Sequence, residues 1–170
     1  DKHGVVLRIE TVINHPRDFK VRRRGWRKGE LVTAWFPMSK NVCNLYRYAE
    51  LSLSANQRYL DALSAVDEPE LSDGVVHRFA DSKRLENRSY RGFNPFSKDD
   101  LALFAALIRG EHCAMGFRNR DIRRVLHGTA SNRDLELLNS ARVSRLFKRL
   151  HVHRLIAKIP RSRRWRVTER

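Results

Sequence analysis

The chain has 170 residues, of which 41% are hydrophobic and 32% are charged. This is enough apolar material for one hydrophobic core or two small ones, so a disordered tail is excluded. The 35 Lys and Arg residues outnumber the 19 Asp and Glu residues and give a formal charge of +16. Such a surface attracts polyanions, which argues against a metabolic enzyme with a neutral surface.

Signals for membrane insertion or export are not found in the sequence. No run of 18 apolar residues occurs, and the chain does not open on a charged and then apolar segment. Cys43 and Cys113 are the only cysteines and are 70 positions apart, so they form neither a disulfide framework nor a CxxC motif. We therefore expect a soluble cytoplasmic protein that makes no contact with a membrane.

The positive charge is concentrated near the C-terminus. Residues 1–50 carry 11 basic and 5 acidic side chains, residues 51–100 carry 7 and 9, and residues 101–170 carry 17 and 5. The last segment therefore has a net charge of +12, whereas the middle segment is slightly acidic. We expect most of the attraction to a polyanion to come from residues 101–170.

The N-terminal part has the alternation of apolar and polar residues that is typical of strands. It predicts a strand from Val5 to Ile13 and two more over Phe19–Arg24 and Glu30–Phe36, with a glycine-flanked turn between the last two. The chain starts at Asp1 rather than at Met. Because a strand so close to the start needs partners, we expect a small sheet that is the remnant of a larger one.

A helix and a connecting segment follow the predicted sheet. Ser54 and Gln57 have the spacing of a capping box, and this predicts a helix over 55–66 within an incomplete α/β portion, 1–68. Gly, Pro and acidic residues interrupt the pattern over 69–96, which predicts a linker. We expect three aromatic residues to anchor this linker on a core: Tyr90, Phe93 and Phe96.

Two helices are predicted at the start of the region 97–170. Ser97 begins the first and Gly110 ends it, and its first-turn acids Asp99 and Asp100 complement the helix dipole. Its apolar stripe consists of Leu101, Phe104, Leu107 and Ile108. The second helix begins at Asn119, ends at Gly128, and turns three residues inward: Ile122, Val125 and Leu126.

A third helix over 140–151 divides into an apolar and a basic face, although Ser131 or Asp134 could start it earlier. The apolar face consists of Val143, Leu146, Phe147 and Leu150. The opposite face consists of Arg142, Arg145, Lys148 and Arg149. A helix with this division can pack on its domain and still offer long hydrogen-bonding side chains to the major groove of DNA.

The chain ends in two predicted strands, 155–159 and 165–168, with a basic turn between them. Three short helices followed by a basic hairpin resemble the winged-helix fold of the helix-turn-helix superfamily. The runs GFRNRDIRRVL at 116–126 and VSRLFKRLHVHRLIAKIPRSRRWRVT at 143–168 carry this resemblance. It implies an α+β chain in which a three-helix winged-helix domain, 97–170, follows a small sheet and a helix.

The resemblance implies binding of double-stranded DNA, with RNA a less favoured partner, and association with the nucleoid. Helix 140–151 would enter the major groove, and a basic wing, 160–168, would lie on the backbone or in the minor groove. The residues expected to contact DNA are Arg118, Arg120, Arg142, Ser144, Arg145, Lys148, Arg149, Arg161, Arg163, Arg164 and Arg166. The acids of this region are too few to pair with all of these arginines.

The first ten residues are similar to the YDK…LRxE strand of phage and plasmid rolling-circle replication initiators. Only Asp1, Lys2, Arg8 and Glu10 match, and the His-hydrophobic-His metal motif of those enzymes is absent. The whole chain also resembles the C-terminal part of a group of bacterial proteins that carry a further domain before a DKxGxVLRIET strand. We expect Arg8 and Glu10 to form an exposed cross-strand ion pair without a catalytic role.

Sequence motifs for other chemistry are lacking. There is no Gly-rich phosphate loop, no HExxH and no GxSxG, and the pairs His112-Cys113 and His151-x-His153 lack the repeated spacing of zinc ligands. We expect no metal, no cofactor and no enzymatic activity. The alternative is the DNA-docking C-terminal part of a replication, transposition or recombination enzyme, such as one of a mobile element, with its active site upstream of Asp1.

Overall fold

The computed structural model of the chain describes residues 8–64 and 79–168. In this part the protein is mixed α+β, with small two-stranded antiparallel sheets and five α-helices. The predicted α+β class is thus confirmed. The chain divides into a first unit, Asp1–Ala65 with Pro160–Arg163, and a second unit, Val66–Ile159 with Arg164–Arg170.

A β-hairpin and a long helix make up the first unit. Strands β1 (Lys20–Arg27) and β2 (Glu30–Pro37) pair antiparallel, and helix α1 spans Leu45–Ser64. Lys28 and Gly29 join the strands with φ of 54° and 84°, as a two-residue turn that follows the strand twist requires. Among the described residues of the unit, the buried apolar side chains include Phe19, Val21, Met38, Leu51 and Ala55.

The predicted opening strand is wrong over its described part. Residues 8–13 are in no strand, and Val5–Leu7 are outside the described residues. In the described part β1 pairs only with β2, so residues 8–13 belong to no hydrogen-bonded ladder there, although they alternate. Arg8 and Glu10 do form an exposed ion pair at 2.6 Å, but along the chain rather than across strands.

Helix α1 begins ten residues before the predicted start. The side chain of Asn41 accepts a hydrogen bond from the backbone N–H of Cys43 at 3.0 Å and begins a 3-10 turn, Val42–Asn44, that runs into α1. Ser54 is exposed in the middle of the helix, so the capping-box spacing was misleading. Asn41 can cap the turn because it directly precedes the first helical residue. From there its side-chain oxygen reaches a backbone N–H of the first turn, which has no helical partner.

The described part of the second unit includes another small hairpin, formed by β3 (Lys83–Leu85) and β4 (Arg88–Tyr90). Phe93 follows it and is 1% exposed in the core, against which Phe79 also packs. The prediction that aromatic residues anchor this segment on a core is therefore confirmed for Phe93, whereas Tyr90 is only half-buried. It is wrong for Phe96, which is 86% exposed. Residues 79–96 of the predicted linker thus belong to the second unit.

Four helices follow: α2 (Lys98–Leu107), α3 (Gly110–Met115), α4 (Asn119–His127) and α5 (Arg133–Val152). Helix α5 starts near the earlier of the two predicted positions. The side chain of Asn132 accepts a hydrogen bond from the N–H of Leu135 at 2.8 Å, and this cap extends the helix by two turns. Gly110 does not end a helical region, because α3 begins there.

The core of the second unit is centred on α4 and α5. Its fully enclosed side chains are Phe93, Leu103, Ala106, Phe117, Ile122, Val143, Leu150 and Ile156. The predicted stripe of α2 is rotated, since Leu101 and Ile108 are exposed whereas Asp100 and Leu103 are buried. Val125 of α4 is likewise exposed. Apolar spacing alone placed these faces only to within about one residue.

Strands β5 (Ile156–Lys158) and β6 (Trp165–Val167) pair antiparallel, as predicted, although both are shorter. Phe117 forms a backbone bridge with Trp165, so β6 lies against the segment before α4. Gly116 makes this approach possible. Its φ is +69°, and a Cβ there would come within 2.5 Å of the carbonyl oxygen of Trp165.

Candidate nucleic-acid interface

Helix α5 exposes a row of cations on the side opposite its core contacts. Arg142, Arg145 and Lys148 are exposed at helical spacing. The residues on the inner side are Val143, Phe147 and Leu150, all buried. We call the three exposed residues the α5 row. The predicted division of this helix into two faces is therefore present for these positions.

The cations of the α5 row are not paired with any acid of the described residues. Among residues 8–64 and 79–168, no ion pair involves any of its three members. The closest polar contact of Arg142 is to the side-chain oxygen of Asn139, at 3.5 Å. Because no described carboxylate neutralises these cations, they offer their full charge and their hydrogen-bond donors to an external anion.

Asn119 ties α4 to α5 and so sets the position of the row. Its side-chain nitrogen donates to the carbonyl of Ser140 at 2.8 Å and to the hydroxyl of Ser144 at 2.9 Å. Arg123 adds an ion pair with Glu136 at 2.7 Å. The prediction of Asn119 as a helix cap is wrong, since Arg118 is the N-cap. Ser144 is exposed, and its hydroxyl oxygen accepts this interhelical bond.

The predicted role of Arg149 as a DNA contact is wrong. This residue is 9% exposed, and its guanidinium lies 3.3 Å from both oxygens of buried Asp100. It also donates to the carbonyl of Arg91 at 3.0 Å and to that of Gly92, and its Cζ lies 3.7 Å from the ring centroid of Phe93. Arg149 shares a helix side with Arg142 and Arg145, but residues 91–93 cover it.

Two predicted contacts near the start of α4 share one acid. Arg118 is half-buried, with its Nε 3.6 Å from Asp121. Arg120 is exposed, with its Nε 3.5 Å from the other oxygen of the same carboxylate. Asp121 also accepts the backbone N–H of Arg118 at 2.8 Å. Arg120 is therefore better placed than Arg118 to reach a ligand.

The predicted wing residues fall into two groups. Arg164 donates to the carbonyls of Met115 and Gly116 at 3.3 and 2.9 Å, which gives it a structural role in the second unit. Arg166 is half-buried on β6. Arg161 and Arg163 are exposed and belong to the first unit, where the N–H of Arg163 donates to the carbonyl of Asp18 at 2.8 Å.

A basic cleft of about 430 Å³ lies between β3 and the end of α5 in the second unit. Its lining consists of Lys83, Arg84, Leu85, His151, Val152 and Arg154. Three of these six side chains are always cationic and none is acidic. The cleft therefore adds to the positive potential of this unit.

The buried histidines have structural partners. A ring nitrogen of His112 lies 2.7 Å from the carbonyl of Ala106, and one of His153 lies 3.1 Å from the carbonyl of Arg91. Burial lowers the pKa of His153, and the positive charges of Lys83 and Arg149 lower it further. In the described ranges, no three His, Cys, Asp or Glu side chains come together as a possible metal site.

The helices of residues 8–64 and 79–168 include none that is long and apolar enough to cross a membrane. Comparison of the chain with protein-family models, with curated proteins and with solved structures gave no match. The geometry of the α5 row and the charge around it are therefore the features of the molecule that point to a function.

Proposed function

We propose that the chain binds double-stranded DNA through α5, with the α5 row directed into the major groove. One observation carries the proposal: a helix whose inner side is buried exposes Arg142, Arg145 and Lys148 with no described acid to neutralise them. Arginine is the side chain best suited to a bidentate contact with guanine. Arg120, Ser144, Arg161, Arg163 and Arg166 are proposed as further contacts, mainly to the backbone.

The order of elements supports a winged-helix arrangement. Within the second unit, α2 and α4 precede α5, and the short β5–β6 hairpin follows directly after it. In proteins of that class, one helix braces the recognition helix and the hairpin forms a wing. The bonds from Asn119 and Arg123 to α5 supply such a brace. We propose α5 as the recognition helix on this basis.

We infer a binding role rather than a catalytic one for this chain. A DNA-docking part of a larger replication, transposition or recombination enzyme would use the same α5 row, and it is the alternative proposal. Incubation with labelled DNA and Mg²⁺ or Mn²⁺ tests for catalysis. We expect no cleavage and no covalent adduct, and a metal-dependent product abolished by Glu10→Gln would overturn the inference.

The proposed function is tested by titrating the full chain with a labelled DNA duplex at several salt concentrations. If about four to six phosphates are neutralised, log K falls with log salt at a slope of roughly −4 to −5. Replacement of the α5 row by Gln removes up to three of these contacts. We expect the affinity to fall by more than tenfold at low salt and the slope to become shallower by about two to three.

The matched control removes three exposed cations elsewhere: Lys40, Arg88 and Lys98, each changed to Gln. It lowers the net charge by the same amount as the first variant. We expect its affinity and salt slope to stay near those of the wild type. Equal losses in the two variants would show that attraction is spread over the surface and that α5 is not the binding element.

A further inference from the structure

We propose that the exposed face of the β1–β2 hairpin is a second site, which binds single-stranded nucleic acid. Bases would stack on Trp26 and Trp35, and phosphates would contact Arg22, Arg24 and other cations of this face. The site lies in the first unit, whereas the α5 row lies in the second, and it goes beyond the proposed binding of duplex DNA.

The register of the hairpin defines the residues of this face. Cross-strand partners share a side of a sheet, and Arg22 is paired with Trp35 and Trp26 with Leu31. The full set on this side is Lys20, Arg22, Arg24, Trp26, Leu31, Thr33, Trp35 and Pro37, all exposed. The other side carries the buried residues Val21 and Gly25. We call the exposed set the hairpin face.

The two tryptophans of the hairpin face are not used by the core of the first unit. Trp26 is 72% exposed and Trp35 is 37% exposed. A tryptophan has among the largest areas that a side chain can bury, so its exposure on a strand forgoes much hydrophobic stabilisation. Such a residue is the usual stacking platform for an unpaired base, because every base has an apolar flat surface.

The charge of the hairpin face is matched to a polyanion. Three of its eight residues are cations and none is an acid, because Glu30 is paired with Arg27 on the other side. Arg161, which belongs to the same unit, adds a fourth cation, with its Cζ 4.2 Å from the ring centroid of Trp35. Its carbonyl accepts the N–H of Lys20 at 2.9 Å, which holds it beside the strand.

The chemistry of the hairpin face favours a single strand over a duplex. In a duplex the flat surfaces of the bases are covered by their neighbours, and only their edges are accessible in the grooves. Indole has one N–H donor and no acceptor, so it reads edges poorly but stacks well. Trp26 and Trp35 are about 14 Å apart along the hairpin at roughly 3.4 Å per residue, which leaves room for nucleotides between them.

The full chain is titrated with an unlabelled dT oligonucleotide of about 15 nucleotides, and binding is measured from the tryptophan fluorescence. Stacking on Trp26 or Trp35 quenches the emission. Trp26→Leu and Trp35→Leu keep apolar bulk but remove the indole, and each should weaken binding by about 5- to 150-fold, the range for one lost stacked base. Trp26→Phe keeps an aromatic ring and should restore most of the affinity.

A second pair of measurements separates this site from the α5 row. The Gln variant of the α5 row should lose duplex affinity and keep its affinity for the dT oligonucleotide. The tryptophan variants should show the reverse. If the first variant binds duplex normally but the tryptophan variants lose dT binding, then the proposed function fails and the hairpin proposal stands.

Two results would overturn the hairpin proposal. If Arg22→Gln and Arg24→Gln weaken dT binding but both tryptophan variants bind as the wild type does, then the face is only an electrostatic patch. If vesicles containing an anionic phospholipid quench the tryptophans and the oligonucleotide does not, then the face is a membrane contact. Circular dichroism of each variant should match that of the wild type, because these side chains point away from the core.

Discussion

The β1–β2 hairpin and helix α5 are built on the same plan, with one side buried and cations on the other. They differ in what accompanies the cations. The α5 row has no aromatic residue among its members, whereas the hairpin face combines its cations with two tryptophans. Charge attracts any nucleic acid, but stacking requires accessible base surfaces. The comparison therefore predicts two ligand preferences from two equally basic surfaces.

Each of the two elements also has an arginine over a phenylalanine ring. Arg23 lies 4.8 Å from the ring centroid of Phe36, and Arg149 lies 3.7 Å from that of Phe93. Arg23 is nevertheless exposed, whereas Arg149 is buried with Asp100. The same residue contact is thus a minor surface interaction in one unit and part of a buried ionic network in the other.

The largest expected effect is the loss of stability when the buried network of Arg149 and Asp100 is broken. Arg149→Met leaves the buried Asp100 carboxylate without its cation and removes one donor from each of the carbonyls of Arg91 and Gly92. We expect a loss of about 3–5 kcal/mol in the free energy of unfolding, measured by urea denaturation. Adding Asp100→Asn should recover part of this loss. A decrease of less than about 1 kcal/mol for Arg149→Met would show that the pair is accessible to water.

The next effect concerns base reading by the α5 row. Arg145→Ala should cost about 1–3 kcal/mol on a preferred duplex, obtained by selection from random sequences, and much less on random DNA. Arg163→Ala should weaken binding to both duplexes nearly equally and make the salt slope shallower by about one. If Arg145→Ala lowers both affinities by the same factor, then α5 is not a base reader.

A pH effect is expected in the second unit. The pKa of His153 is lowered in the folded protein, mainly by burial, from its usual value of 6.5. The unfolded chain therefore binds more protons near this pH, and stability should decrease as the pH falls below about 6.5. Unfolding measured between about pH 7.5 and pH 5 tests this. His153→Gln should flatten the dependence, and an unchanged profile would contradict it.

The smallest effect is expected for Arg23, the hairpin counterpart of Arg149. Arg23→Met should change the free energy of unfolding by about 0.5–1 kcal/mol or less, because an exposed cation–π contact contributes little. Binding of the dT oligonucleotide should stay within about twofold of wild type. Successive residues of a strand point to opposite sides, so Arg23 lies on the side of the hairpin opposite the hairpin face. A loss as large as that of Arg22→Gln would show that both sides of the hairpin bind.

Local pattern was sufficient to predict several elements. Alternation predicted the hairpin of β1 and β2, and helical spacing with basic residues opposite apolar ones predicted the exposed positions of the α5 row. These features depend on residues a few positions apart, so a short window of sequence contains the information. Cap chemistry was less reliable, because the Ser54 spacing occurred within a helix while Asn41 performed the capping.

The sequence by itself determined the charge, the α+β class and which residues share a face of α5 or of the hairpin. Only the tertiary structure decided which members of a face are enclosed. Arg149 and Arg145 have the same chemistry on neighbouring turns, but Arg91, 58 positions away, places its carbonyl on Arg149 alone. Phe93 and Phe96 are also chemically identical and close in sequence, but Phe93 is enclosed in the core and Phe96 is exposed. Periodicity is local, whereas enclosure depends on distant segments that fold against the element.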